Sequence, residues 1–329
     1  MLNFIFVLLF FIEVYIFFIL KSVYSGNQFK IAFAIQLALA LFTFFSLFYT
    51  SKNLGHGLSQ TTKPINLLLG FFVTFGVAKL AFISVVFLED VTRVFRWFFS
   101  FFGSNSEVDF PSRRKAITQI GLGIAAIPFA SFLYGMFKTR YDFTVFRETL
   151  EFDELPDEFD GLKIVQISDF HSGSLDDMEA VKLGLDKIQE LKPDLLLFTG
   201  DLVNNTSEEF DKFIPYFKQL SAPLGKYSIL GNHDYGLYYK WESDQAQEEN
   251  EQRIRDHHKT VGFDLLENQN RLITKGNQSI NLVGVENWGR PPFPPKGDLE
   301  KAVSGISKDT VNILLSHDPH HWEDVVLSH

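Results

Sequence analysis

The sequence contains no cysteine. This absence excludes disulfide frameworks, thiolate zinc sites and cysteine nucleophiles, and it removes the usual indicator of redox compartment. Any metal site in the chain must therefore use oxygen and imidazole ligands.

Acidic residues are scarce in the first part of the chain. Residues 1–137 contain only five of the 40 acidic residues and ten of the 30 basic residues, a net charge of +5. The remaining 192 residues carry a net charge of −15. Nucleic-acid binding requires a basic face, because neutralisation of phosphates supplies much of the binding energy. The acidic second part therefore argues against a nucleic-acid partner.

The first part contains four long apolar stretches, at residues 2–20, 31–50, 65–88 and 116–137. Each approaches the ~20 residues that cross the hydrocarbon of a bilayer. The first stretch is long for a signal peptide and lacks a small-residue cleavage site, so we interpret it as a retained helix. The pattern predicts a multi-span membrane region over residues 1–137, and buried helices of a soluble protein are the alternative.

Basic residues in the connecting segments indicate an orientation. The first and third segments contain seven, namely Lys21, Lys30, Arg93, Arg96, Arg113, Arg114 and Lys115, against Lys52 and Lys63 in the second. The positive-inside rule then places both termini outside. We therefore predict an integral, multi-pass membrane protein whose second part is extracytoplasmic.

Residues 112–115, Ser-Arg-Arg-Lys, stand directly before the fourth apolar stretch. They resemble a twin-arginine export signal, which normally lies at the N-terminus of a chain. A basic anchor on the inner side of the membrane is the simpler interpretation, and both interpretations send the following residues outward.

In the second part, four apolar runs typical of strands are each followed by polar side chains. The runs and the residues after them are 162–167 with Asp169 and His171, 195–199 with Asp201, 226–230 with Asn232, His233 and Asp234, and 311–315 with His317. Binding sites of open α/β sheets form at the carboxyl edge of the strands. In extended backbone, Asp169 and His171 would also point to the same side. The pattern predicts a site at one sheet edge.

These residues, in this order, resemble the motif series of the calcineurin-like metallophosphoesterases, especially membrane-associated bacterial members. The matching segments are Asp-Phe-His at 169–171, Gly-Asp at 200–201, Gly-Asn-His-Asp at 231–234, and His317. The resemblance covers residues 141–329. It implies a four-layer α/β/β/α sandwich after the α-helical membrane region, and a bacterial plasma membrane as the location.

The resemblance also implies a site with two divalent metal ions. Asp169 and His171 would bind the first ion, Asp201 would bridge both, and Asn232 and His317 would bind the second. Mixed carboxylate, imidazole and amide ligands suit Mn, Fe or Zn without choosing among them.

The same resemblance assigns catalytic roles to His233 and Asp234. His233 would contact the substrate phosphate or protonate the leaving alkoxide. Asp234 would orient His233 and raise its basicity.

The sequence departs from the family pattern at two places. Asn204 stands where the purple acid phosphatase branch carries a metal-binding Tyr, so a ferric–tyrosinate site is not expected. The closing Gly-His-x-His segment is also missing, and His329 lacks the preceding Gly that would mark its start. We therefore expect that the domain is cut off at His329, before its last motif.

Other polar and aromatic residues are less specific. His257 and His258 lie in a charge-rich stretch, residues 242–259, that predicts a solvated helix. Two aromatic or proline-rich segments either line a substrate pocket or pack an insert against the sheet. They are Tyr235, Tyr238, Tyr239 and Trp241, and residues 288–295.

The leading functional interpretation is a hydrolase that cleaves a phosphodiester or pyrophosphate bond, with a lipid-linked substrate as one option. Some related enzymes cleave nucleotide-linked lipid A precursors, which face the cytoplasm and so conflict with the predicted orientation. The alternative is a non-catalytic membrane protein that uses a degenerate phosphoesterase domain for binding. A transporter is less well supported, because Glu13 and Lys79 are the only charges well inside a predicted span.

Overall fold

The computed structural model describes residues 2–53, 63–101, 111–291, 293–307 and 310–328. The chain forms two compact units, Met1–Asp142 and Phe143–His329. The first unit is helical and the second is a layered α/β domain.

The first unit consists of long helices. Within the described residues these are α1 (Leu2–Val23), α2 (Gly26–Asn53), α3 (Lys63–Ser100) and α4 (Pro111–Phe137). All four are long and apolar enough to cross a membrane. Helix α3 extends well beyond the predicted stretch 65–88. Many outward-facing side chains are large and apolar, for example Phe4, Phe11 and Leu88, which suits contact with lipid. These features are those of a membrane protein.

The two charges predicted inside the spans contact each other. The Lys79 ammonium of α3 donates to the Glu13 carboxylate of α1, and its Nζ lies 3.2 Å from Thr43 Oγ1 of α2. Gln36 Nε2 donates to the Glu13 backbone carbonyl at 2.7 Å. An unpaired charge at this depth is costly, so the pair links three helices rather than marking an open ion path.

Arg114, the second arginine of the 112–115 segment, is also buried. Its Nη1 lies 2.6 Å from Glu89 Oε2 and 2.6 Å from Asp90 Oδ1, both on α3. Tyr15 of α1 donates to Asp90 Oδ2 at 2.5 Å. Arg114 therefore joins α4 to α3, whereas Arg113 is exposed.

Two sheets form the centre of the second unit. The first is parallel, in the order β1 (Ile164–Ile167), β2 (Leu195–Phe198), β3 (Lys226–Ser228) and β4 (Asp264–Leu265). The second has the order β5 (Gln269–Lys275), β6 (Gln278–Gly284) and β7 (Asn312–Leu315). Strand β5 is antiparallel to β6, and β7 is parallel to β6.

The sheets pack face to face because apolar side chains project from both. All four residues of β2 are buried, as expected for a strand covered on both sides. Leu195 and Leu197 share a core cluster with Ile280 and Leu282 of β6 and with Leu315 of β7. This cluster is the centre of the sandwich.

Helices cover the outer faces. These are α5 (Met178–Glu190), α6 (Ile214–Phe217) and α7 (Asp244–Thr260) after strands of the first sheet, and α8 (Leu299–Ala302) and α9 (His320–Asp324) beside the second. His258 of α7 packs against Phe198 of β2, with ring centroids 5.8 Å apart. Leu299 and Ala302 of α8 cluster with Val283 of β6. The predicted α/β/β/α sandwich is confirmed.

The helix predicted over residues 242–259 is present as α7, but its solvation was predicted wrongly for one face. His257 and His258 are buried there, and His257 Nε2 lies 3.0 Å from the Ser207 carbonyl oxygen. Burial lowers the pKa of His258 to about 3, so its ring stays neutral. Sequence reasoning missed this face because Ile254 and Val261 are the only apolar residues near the two histidines on it, within an otherwise charge-rich stretch.

The pairing of Glu13 with Lys79 makes a prediction for the stability of the membrane unit. Replacing one partner leaves the other buried without its counter-charge, so Lys79→Met and Glu13→Gln should each lower the unfolding free energy by about 3 kcal/mol. The double variant should recover most of that loss. Unfolding of the full chain in detergent measures this, with Lys115→Met at an exposed position of α4 as the control. Additive losses in the double variant would show that the pair is not coupled.

Candidate metal centre

The polar residues predicted at strand ends converge on one region of the second unit. Asp169 and His171 follow β1, Asp201 follows β2 and Asn232 follows β3, all at the carboxyl edge of the parallel sheet. His317 follows β7, which belongs to the other sheet. The prediction of a single sheet edge was therefore incomplete, since this site takes residues from both sheets.

Asp201 lies at the centre of the site and is 3% exposed. Its Oδ2 is 3.4 Å from His171 Nε2 and 3.5 Å from His317 Nε2. Two groups of possible ligand atoms share it, one with His171 and His233 and the other with Asp169 and His317. Within each group the atoms lie within 4.8 Å of one another. This arrangement suits a carboxylate that contacts two cations.

The electrostatics of the site favour an ionised Asp201. Burial raises the pKa of this carboxyl, but the hydrogen bond and charge of His317, together with the backbone amide and charge of His233, lower it by more in sum. Burial lowers the pKa of His317, whereas Asp201 raises it, with a net result of about 9. The buried carboxylate is thus charged, and the His317 imidazole beside it carries the counter-charge.

The backbone around the ligands is left-handed. Asp169, His171 and Asp201 have φ values of 53°, 45° and 59°. Such conformations cost on the order of 1–3 kcal/mol each and concentrate at functional sites. Asp169 Oδ1 and His171 Nε2 lie 3.8 Å apart. The two side chains therefore converge through a turn rather than through the extended backbone that the sequence suggested.

Two glycines allow the loops after β2 and β3 to approach closely. A Cβ atom at Gly200, where φ is +102°, would lie 2.5 Å from Gly231 N. A Cβ atom at Gly231 would lie 2.2 Å from Asp201 Oδ1. A side chain at Gly231 would therefore displace the central carboxylate, and one at Gly200 would push the two loops apart.

The Asp234 carboxylate is buried beneath these loops. It accepts backbone hydrogen bonds from Asp201 N at 2.9 Å, Leu202 N at 2.8 Å and Gly231 N at 2.9 Å. Burial and the nearby Asp201 charge raise the pKa of Asp234 to about 7, against the opposing effect of these amides. Its contacts join the two loops that carry Asp201 and Asn232.

His233 is held by a different group. Its Nδ1 lies 2.6 Å from the Asn204 carbonyl oxygen, so Nδ1–H donates there and Nε2 stays available. The orienting contact predicted for Asp234 is therefore made by Asn204. Asn204 stands where the purple acid phosphatase branch has its metal-binding Tyr. Here the residue contributes its backbone carbonyl, which binds His233.

A second backbone carbonyl orients His317. Its Nδ1 lies 2.8 Å from the Thr199 carbonyl oxygen, and its Nε2 lies 3.1 Å from Asn232 Oδ1. A carbonyl bound to one imidazole nitrogen is the usual device that directs the other towards a metal. Sequence reasoning missed both carbonyls, because every residue has one and no pattern distinguishes them.

The structure thus brings Asp169, His171, Asp201, Asn232, His233 and His317 together, with Asp234 beneath them. His329, considered as the start of a further motif, lies outside the described residues.

Comparison with known families agrees with this geometry. The family model "Calcineurin-like phosphoesterase" matches residues 162–328. The chain belongs to the calcineurin-like phosphoesterase family. Residues 1–140 match a second model, "Probable Calcineurin-like phosphoesterase, transmembrane domain". The family implies divalent metal ions, and the carboxylate, imidazole and amide groups assembled here fit such ions.

Several curated proteins are similar. An uncharacterized metallophosphoesterase YkuE of Bacillus subtilis is 32% identical over 52% of this chain and 56% of its own length. The UDP-2,3-diacylglucosamine pyrophosphatase LpxG of Chlamydia trachomatis is 31% identical over 50% of this chain and 60% of its own. A Helicobacter pylori metallophosphoesterase is 27% identical over 79% of this chain and 64% of its own. The chain therefore spans less than two thirds of these relatives.

The contacts of His233 lead to a prediction about metal content. The possible ligand atoms of His233, His171 and Asp201 lie within 4.8 Å of one another. We nevertheless expect His233 to act on the substrate rather than to bind a metal ion. His233→Ala should then retain nearly all bound Mn²⁺ after loading and dialysis of the full chain, whereas His171→Ala should lose a large part. Elemental analysis measures both. An equal loss in the two variants would identify His233 as a ligand.

Proposed function

We propose that the chain is a metal-dependent phosphoesterase that hydrolyses a phosphodiester or pyrophosphate bond at a dinuclear site. The observation that carries this proposal is the position of Asp201, whose carboxylate belongs to both groups of ligand atoms. A shared carboxylate suits a pair of ions about 3.5–4 Å apart.

In the proposed site, Asp169 and His171 would hold one ion, Asn232 and His317 would hold the other, and Asp201 would contact both. This division follows the family resemblance, whereas the groups of neighbouring ligand atoms place His233 beside His171 and Asp169 beside His317. Bound divalent ions supply a water of lowered pKa and neutralise the phosphoryl oxygens. Mn, Fe and Zn all suit these ligands.

Side chains near the proposed ions would orient the substrate and supply a proton. The Asn204 carbonyl holds His233 Nδ1, so Nε2 can donate a hydrogen bond to a phosphoryl oxygen or a proton to the leaving alkoxide. Asp234, proposed from the sequence as a catalytic partner, supports the reaction by joining the loops of Asp201 and Asn232. Its role is structural in this proposal.

A lipid-linked pyrophosphate is the substrate class that we favour. The similar LpxG protein is named as a pyrophosphatase of UDP-2,3-diacylglucosamine, a molecule with two acyl chains. The apolar helices of residues 1–140 would keep the chain at the bilayer where such substrates lie. Both features support a lipid-linked substrate over a freely diffusing one. With the proposed outward orientation, that substrate would be a lipid-linked pyrophosphate other than the nucleotide-linked precursors, which face the cytoplasm.

The proposed activity depends on Asp201. Asp201→Asn should reduce Mn-dependent hydrolysis of an aryl phosphodiester by at least ~100-fold, since loss of a ligand should exceed the 10–100-fold typical of outer contacts. The assay uses the full chain in detergent. Asp256→Asn, at an exposed position of α7, is the matched control.

Retained activity in Asp201→Asn would overturn the dinuclear assignment. A wild-type chain that binds Mn²⁺ but hydrolyses neither a phosphodiester nor a pyrophosphate would instead support the non-catalytic alternative.

The proposed orientation has its own test. Because the chain lacks cysteine, a single Glu248→Cys on the exposed face of α7 reports the location of the second unit without background labelling. We expect an impermeant maleimide to label it in intact cells and to leave Ser25→Cys, between α1 and α2, unlabelled until lysis. The reverse pattern would place the site inside the cell, where nucleotide-linked lipid precursors are found.

A further inference from the structure

The aromatic residues that follow the Asn-His-Asp motif do not share one role. Tyr235 is 1% exposed and packs in the interior, whereas Tyr238 is 37% exposed. The Tyr238 ring stacks on the His233 ring, with centroids 4.3 Å apart and planes at 25°. Phe293 contacts Tyr238 with a centroid distance of 5.6 Å. Tyr238 therefore lies at the candidate metal centre, and Tyr235 supports the fold.

A tight turn returns Tyr238 to the residue six positions before it. Gly236 has a φ of +61° and reverses the chain after the helical turn His233–Tyr235. Trp241 Nε1 donates to the Gly236 carbonyl at 2.8 Å, and a Cβ atom at Gly236 would lie 2.9 Å from the Trp241 ring. Trp241 thus packs against the turn, which places the Tyr238 hydroxyl beside Asn232.

The contact between Asn232 and Tyr238 has a defined direction. Asn232 Nδ2 donates to the Tyr238 hydroxyl oxygen at 2.6 Å. The other end of the same amide, Oδ1, lies 3.1 Å from His317 Nε2. An amide binds a cation through its oxygen, whereas its nitrogen is only a donor. Tyr238 therefore engages the end of Asn232 that a metal cannot use.

The two contacts respond differently to a metal ion. A His317 that binds a cation through Nε2 no longer carries a proton there, so it cannot donate to Asn232 Oδ1. The hydrogen bond from Asn232 Nδ2 to Tyr238 is compatible with the bound state, because it uses neither ligand atom. Of these two contacts, only the one to Tyr238 can then prevent rotation of the amide.

We infer that Tyr238 is a positioning residue for the second metal ion, because its hydroxyl fixes the Asn232 amide with Oδ1 directed towards the site. The inference rests on the proposed dinuclear function and adds a residue outside its ligand set. The hydroxyl accepts from Asn232, so its own proton remains available to a phosphoryl oxygen of the substrate.

The test uses Tyr238→Phe, which removes the hydroxyl and keeps the ring on His233. Binding of Mn²⁺ to the purified full chain is followed by calorimetry and by the paramagnetic resonance signal of coupled ions. The wild type should bind two ions. In Tyr238→Phe we expect the affinity of one Mn²⁺ binding step to weaken by roughly tenfold, as for other contacts behind metal ligands. The other step should stay unchanged, since the Tyr238 hydroxyl bonds to Asn232 and not to Asp169 or His171. The coupled signal should decline accordingly.

The matched control is Tyr239→Phe, the same substitution at the next residue, whose ring packs on Trp241 with centroids 4.6 Å apart. It should bind both ions as the wild type does. The unfolding temperature of metal-free Tyr238→Phe should also equal that of the wild type, which separates positioning of a ligand from loss of folding.

The outcomes distinguish this inference from the proposed function. Two unchanged steps in Tyr238→Phe would overturn the role of the hydroxyl while leaving the dinuclear site intact. Equal weakening of both steps, or the same loss in Tyr239→Phe, would also overturn it by showing a general effect. A wild type that binds fewer than two ions would overturn the dinuclear function and this inference together.

Discussion

The carboxylate of Asp234 accepts hydrogen bonds from the backbone amides of Asp201 and Gly231, and so joins the loops that follow two neighbouring strands. Such a buried carboxylate is stabilised only while those amides stay close, because an unpaired buried charge is expensive. Gly200 and Gly231 make this approach possible by having no side chain between the loops. This contact therefore determines the position of Asp201, the residue that belongs to both groups of possible ligand atoms.

The ligands themselves are controlled by groups behind them. The carbonyl oxygens of Thr199 and Asn204 hold one nitrogen each of His317 and His233, which leaves the opposite nitrogen available. Tyr238 does the same for the Asn232 amide. In each case a hydrogen bond to one atom of the ring or amide determines which atom faces the site. The chemistry of the site therefore depends on residues that would not bind an ion.

The membrane unit shows the same requirement that buried charge be paired. Lys79 with Glu13, and Arg114 with Glu89 and Asp90, are ion pairs between helices in the first unit. Sequence reasoning singled out Glu13 and Lys79 because charges inside apolar stretches are conspicuous. It could not pair them, because residues 66 positions apart meet only when the helices pack.

The sequence by itself determined the four apolar stretches, the acidic second part and the polar residues at strand ends, since each is a pattern among neighbouring residues. These local signals were sufficient for the family and the layered fold. Only the tertiary structure decided that His317 comes from the second sheet, that Asn204 rather than Asp234 holds His233, and that α7 buries His258. These features depend on backbone carbonyls, left-handed turns and packing between distant segments. Side-chain chemistry leaves a signal in a linear sequence, whereas the meeting of distant backbone atoms does not.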